Sequence, residues 1–277
     1  MISDSENYVE PGTFVVGIEL ICCRNTFSSE PSFVMSVLKD QVAVITGASS
    51  GIGAAIANAF ANEGAQVILA ARSGDKLQSV VSQIEAAGGK ATAVVCDVTD
   101  EAAVCSLFDT VASDFSRLDI LVNNAGLAKG GPIDELAFET WRSVMSVNLD
   151  GAFLCSREAF KLMKPQNRGR IINIGSVSAK MPRVDSAPYT TSKFALEGLT
   201  RSLALDGRSY GISVGVLQPG NTMTSIWEGR EEKVTAEGVM NADDLAQVAL
   251  SMANLPDGVS VLESTVLPIS MPFLGRG

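Results

Sequence analysis

Three residues in the stretch SVSAKMPRVDSAPYTTSK, residues 176–193, have the types and spacing to move a proton. Tyr189 stands four residues before Lys193, and Ser176 stands thirteen before Tyr189. Residues four apart on a helix share one face. A phenol has an unperturbed pKa of about 10, so only about 0.1 % is phenolate at neutral pH. A general base works best with a pKa near the working pH, which for a phenol is a change of about 4 kcal/mol. One positive charge at roughly 4 Å in an effective dielectric near 20 supplies about that much. The spacing therefore predicts a Tyr189 phenol whose pKa is pulled down by the Lys193 ammonium. Ser176 would hydrogen-bond a substrate oxygen as charge develops on it. The chain has no histidine, which excludes imidazole acid–base catalysis, His-based triads and His metal sites.

Such a set needs a scaffold, and the chain from residue 41 onward alternates in a regular way. Apolar, β-branched runs occur at 41–46, 65–71, 91–96, 118–123, 169–175, 212–218 and 259–267. Between them lie segments of helical period closed by glycine, such as IGAAIANAFANEG and DKLQSVVSQIEAAGG. This pattern predicts an α/β fold: a doubly wound, parallel, seven-stranded sheet with helices on both faces and ligands at the carboxyl ends of the strands. Residues 35–277 read as one domain, because Met35 opens MSVLKDQVAVITG like a natural start. Residues 1–34 read as an N-terminal extension. The run TFVVGIELICC within it follows the acidic flank MISDSENYVE and is interrupted by Glu19, so a signal peptide is not expected.

The first strand runs into TGASSGIG, residues 46–53. Gly47, Gly51 and Gly53 fall at a strand-to-helix turn, where missing side chains let backbone N–H groups approach a pyrophosphate. Ser49, Ser50 and Ile52 complete this candidate dinucleotide loop. At the end of the second strand, VILAARSGDKL, Ala71 stands where an acid would read a ribose, and Arg72 and Ser73 follow. A guanidinium can fork onto a phosphate, so the strand end favours NADP over NAD.

Composition bounds the partners. With 46 % hydrophobic and 19 % charged residues, a large core is expected and wholesale disorder is not. The net charge of −10, with no Lys/Arg run, makes nucleic acid and anionic membranes poor partners. No apolar run reaches the roughly 18 residues that cross a bilayer. The five cysteines lack paired metal spacing, so reduced thiols in a cytoplasmic protein and no metal site are expected.

Taken together, residues 39–277 resemble a short-chain dehydrogenase/reductase of the typical single-domain, Rossmann-fold kind. The resemblance rests on Thr46-Gly47-x-x-x-Gly51-Ile52-Gly53, Asp97-Val98, Asn123-Asn124-Ala125-Gly126, Asn148, Ser176, Tyr189-x-x-x-Lys193 and Pro219-Gly220, in family order and spacing. It implies that Asp97 and Val98 hold the adenine, and that Asn123, Asn124, Ala125 and Gly126 stabilise the sheet beside the cofactor. It further implies that Tyr189 and Lys193 reach the nicotinamide ribose, and that Asn148 anchors a water leading protons to Lys193. After Pro219-Gly220 the family often has an Ile and then a Thr; here Thr222 replaces the Ile and Thr224 keeps its place. Residues 221–240 fall where the family carries a lid, with Met223, Ile226 and Trp227 as an apolar wall and Gly229 and Gly238 as hinges. Leu127, Ala128 and Ser178 are further candidates for the pocket rim.

The activity implied is an NADP(H)-dependent interconversion of a secondary alcohol and a ketone or aldehyde, with a small-molecule substrate. A non-catalytic, dinucleotide-binding regulatory protein on the same fold is the competing reading, although such relatives usually lack the Tyr or the Lys. The segments SVNLDGAFLCSREAF and KFALEGLTRSLAL carry more apolar surface than one core face absorbs, which predicts a homo-oligomer, a tetramer or a dimer. The apolar tail VLPISMPFLGRG is expected at a subunit boundary near the pocket.

Overall fold

Val42–Thr46 is buried at every position, as an inner strand covered on both faces must be. It is β1 of a sheet that continues with β2 (Gln66–Ala71), β3 (Lys90–Val95), β4 (Ile120–Asn123), β5 (Gly169–Ile174), β6 (Ile212–Pro219) and β7 (Glu263–Val266). The computed structural model describes residues 36–224 and 237–273. All seven strands pair in parallel, in the order β3-β2-β1-β4-β5-β6-β7. The predicted α/β doubly wound sheet is the one observed. Each expected strand is present, the last shortened from 259–267 to Glu263–Val266.

The helices divide between the faces. On one face lie α1 (Gly51–Asn62), α2 (Gly74–Ala86) and α7 (Ala242–Ala253). Ile56, Phe60, Leu77, Ile84, Leu245 and Ala249 from these helices close one core against the sheet. On the other face lie α3 (Glu101–Phe115), α5 (Gly151–Gln166) and α6 (Ala187–Gly207). There Val104, Leu107, Phe108, Cys155, Ala159 and Met163 form the second core. Local signals fix the helix starts. Asp100 accepts the Ala102 and Ala103 N–H groups at the head of α3, and Asn241 with Asp244 forms a capping box on α7.

Two features of this layout position a site. The strand order reverses direction between β1 and β4, the switch point at whose carboxyl ends doubly wound sheets take their ligands. The second feature is a π-helical turn, Ser146–Asp150, joining α4 (Phe138–Met145) to α5. The sequence reads there as unbroken helix. A π turn widens the helix locally and re-aims one side chain, here the buried Asn148. Among the described residues, no helix is long and apolar enough to cross a membrane.

Candidate active site

The glycine turn leaves β1 at Thr46 and enters α1 at Gly51. Gly47 and Gly51 hold φ of +65° and +58°, the left-handed region that favours glycine. A Cβ on Gly53 would strike Asn124 Nδ2 and the Gly47 carbonyl. Asn124 is the clamp: its Nδ2 donates to the carbonyls of Thr46 and Gly47 at 3.0 and 3.1 Å. The buried Thr46 hydroxyl accepts the N–H groups of Asn124 and Ala125, both at 3.1 Å. The turn is thus tied to the end of β4 across the switch point. Ser50 caps α1 in an extended conformation without a side-chain bond, and the first turn has no acid. Its N–H groups are left facing an anion-binding position.

The proton-handling residues come together at the end of β5 and the start of α6. Ser176 follows β5, is 7 % exposed, and its Oγ accepts the Ser178 N–H at 3.1 Å. That contact leaves the Ser176 proton free to donate. A hydrogen bond from Ser176 reaches the half-buried Tyr189 phenol. One turn on, Lys193 is buried, with Nζ 5.6 Å from the centre of the Tyr189 ring and donating to the Ile174 carbonyl at 2.8 Å. Asn148 reaches this group from the π turn. Its Oδ1 accepts Leu127 N–H at 2.7 Å, and its Nδ2 donates to Leu127 O at 3.1 Å and to Ser192 Oγ at 2.9 Å. Ser192 in turn donates to the Tyr189 carbonyl. Gly126 lies beside Asn148 and Lys193.

The proton affinities correct one expectation. Burial pushes the Tyr189 pKa up, and the Ser176 hydrogen bond and the Arg183 charge only partly offset it. The Lys193 pKa falls to about 8, also through burial. The expected lowering of the phenol by Lys193 is absent. Both groups lose solvent together, and Nζ is turned onto the Ile174 carbonyl.

The remaining predicted residues divide. Arg72 and Ser73 are exposed at the end of β2, and the Ser73 hydroxyl makes no cap bond on α2. The Asp97 carboxylate accepts the Thr99 N–H and hydroxyl at 3.0 and 2.8 Å, and these bonds with the nearby Arg72 charge keep it below its usual range. Val98 is buried under Gly151. Beyond Pro219, a Cβ on Gly220 would strike the Met271 sulfur, so the described part of the tail packs against the chain there. Thr224 lies against Gly51. Thr222 is buried with its hydroxyl donated to the Gly220 carbonyl, and Ser178 is buried in the wall instead of lining a rim. Leu127 is half-buried and Met223 exposed. Trp227, with Ile226 and Gly229, lies outside the described residues.

The sequence reading missed a buried polar ladder beneath the site. Asn123 donates to Asn173 Oδ1 at 2.9 Å and to Ser156 at 3.0 Å, and Asn173 donates to Thr200 at 2.8 Å. A polar residue inside the apolar run RIINIG was the available signal.

Comparison with known proteins agrees with this geometry. The family model described as short chain dehydrogenase matches residues 41–235. A gluconate 5-dehydrogenase of Gluconobacter oxydans is 38 % identical over 186 residues, covering 67 % of this chain and 73 % of that one. A 3-oxoacyl-[acyl-carrier-protein] reductase of Synechocystis sp. is 38 % identical over 214 residues, covering 77 % and 85 %. Among solved structures, a metagenomic short-chain oxidoreductase in complex with NADP superposes with a TM-score of 0.75 at 37 % identity, covering 84 % of this chain and 98 % of that one. A match of this extent, in sequence and in fold, makes the chain a member of the short chain dehydrogenase family.

Proposed function

We propose that the protein is an NADP(H)-dependent oxidoreductase interconverting a secondary alcohol and a ketone or aldehyde. The observation carrying this reading is the convergence of Tyr189, Lys193, Ser176 and Asn148 at the carboxyl edge of the sheet, beside the glycine turn. The residues present fit a dinucleotide: two left-handed glycines, an α1 N-terminus free of acids, and a Gly53 with no room for a side chain. Ala71, Arg72 and Ser73 at the end of β2 favour a 2′-phosphate, and the NADP held by the metagenomic relative is in keeping with that. All these residues fall in one compact unit, in keeping with a catalytic domain at 35–277.

When bound, the nicotinamide supplies the hydride acceptor or donor. The protein's residues manage the proton. In the reduction direction the Tyr189 phenol gives its proton to the carbonyl oxygen as hydride arrives at the carbon. In the oxidation direction the phenolate takes that proton back, and Ser176 donates a hydrogen bond to the same oxygen. Lys193 and the Asn148–Ser192 contact hold the phenol in register. The test is NADPH consumption with a panel of ketones and diketones. Turnover with NADPH in preference to NADH is expected; tight cofactor binding without turnover on any of them would favour the regulatory reading. We further propose a homo-oligomer, because Phe153 on α5 and Phe194 and Leu205 on α6 are 47, 49 and 62 % exposed.

A further inference from the structure

A cavity of about 570 Å³ lies at the amino-terminal edge of the sheet, the edge opposite to Ser176 and Tyr189. It is lined where β4, β5 and β6 begin and by the loop from α7 to β7. Three arginines contribute to its wall: Arg168 ahead of β5, Arg170 within β5 and Arg208 directly after α6. The fold brings them together. β5 and β6 run side by side, with Gly169 against Ile212 and Arg170 against Ser213. The turn that follows Arg208 packs on the turn before β5, where a Cβ on Gly211 would strike the Asn167 carbonyl.

The charges around this cavity do not balance. Its two acids are Asp119 and Asp257. Asp119 is already satisfied: it accepts Arg117 at 2.6 and 2.9 Å and the Val42 N–H at 2.8 Å, and Arg117 is not part of the wall. Asp257 pairs with Arg168 at 3.3 Å, with both side chains well exposed, where water weakens an ion pair. Arg170 donates only to neutral acceptors, the carbonyls of Leu255 at 3.0 Å and Val259 at 3.2 Å. Burial pulls its pKa below the usual range, and the Asp257 charge offsets this only in part. Arg208 is exposed and, among the described residues, its side chain has no ion pair. Two guanidinium groups at the cavity therefore lack an anion, in a chain whose net charge is −10.

We propose that this cavity binds a small metabolite bearing a polyvalent oxyanion, a phosphate or a polycarboxylate, held by Arg168, Arg170 and Arg208. A guanidinium forks onto either oxyanion. A cavity of this size has room for an organic body beyond the charged group, and Ile120, Ile212, Leu255 and Leu262 give that body an apolar wall. The site is separate from the glycine turn and Arg72, which stand at the carboxyl ends of β1 and β2. A ligand there would tie the starts of β5 and β6 to the loop before β7. Binding to the folded chain alone raises its melting temperature.

The test is calorimetric titration of NADP-saturated protein with inorganic pyrophosphate and, separately, with citrate, at fixed ionic strength. Saturating with NADP fills the dinucleotide site first. Saturable binding of one probe per chain is expected, and the tighter of the two tells phosphate from polycarboxylate. Arg208→Gln should weaken that binding at least about tenfold, the worth of one charge-assisted hydrogen bond, and should abolish the rise in melting temperature that the probe gives the wild type. Arg208 is exposed and makes no side-chain bond that the fold needs, so this variant decides even if Arg170→Gln, which also loses the Leu255 and Val259 carbonyls, does not fold. No saturable binding of either probe, or an unchanged affinity in Arg208→Gln, overturns the proposal. Binding that is lost in Arg72→Ala and kept in Arg208→Gln places the anion at the dinucleotide site and overturns it equally.

Discussion

Lys193 carries a positive charge into a buried position, and that choice has a stability consequence. Its folded pKa of about 8 lies below the 10.5 of a free lysine, so the charged form is disfavoured by about 3 kcal/mol on folding. Below pH 8 both folded and unfolded states hold the proton, and the full cost is present. Between about 8 and 10.5 only the unfolded state holds it, so stability from this group rises with pH. Lys193→Met should therefore melt a few degrees higher at pH 7 while losing activity, the lost bond to Ile174 offsetting about 1 kcal/mol of the gain. A lower melting temperature at pH 7 would contradict this. Arg72 makes a second residue-scale claim: Ala71→Asp with Arg72→Ala should invert the NADP over NAD preference in kcat/KM, since an acid repels the 2′-phosphate. That Tyr189 and Lys193 share one turn of helix was legible from their spacing. Their proton affinities were not, because burial decides them and spacing does not report burial.

The elements were legible in another sense. β-branched runs and glycine-closed helices gave seven strands and a parallel sheet, since both faces of a parallel sheet must be apolar. The π turn at Ser146–Asp150 escaped, because it is a local widening inside a segment whose apolar period still reads as helix. The hydrogen bonds from Arg183 to Asn221 and Glu237 escaped because those partners lie 38 and 54 positions away. Two substitutions test how these elements position the site. Asn148→Ala leaves the Leu127 amide and carbonyl without their side-chain partner; a loss of about 2 kcal/mol in chemical denaturation is expected, with kcat falling more than KM rises. Gly53→Ala drives a methyl into Asn124 and the Gly47 carbonyl, so cofactor affinity should fall at least about tenfold while the far core stays folded. Unchanged affinity in Gly53→Ala would mean that the turn does not hold the dinucleotide.

At the scale of the whole molecule, the exposed aromatics of α5 and α6 point to assembly. Light scattering should give a small even multiple of 29.0 kDa, and Phe194→Asp should reduce it; a monomeric wild type would refute the assignment. The central claim, however, is that the fold brings a hydride carrier to a substrate carbon and the Tyr189 phenol to the oxygen on that carbon. Its most direct measurement is the fate of deuterium at the transferable C4 position of NADPH during reduction of a ketone that the wild type turns over. Wild-type protein should place one deuterium on the carbinol carbon of the product, while Tyr189→Phe, with cofactor affinity within a few fold of wild type, should place none above background. Label remaining on the cofactor, or transfer by Tyr189→Phe at a near wild-type rate, would contradict the account.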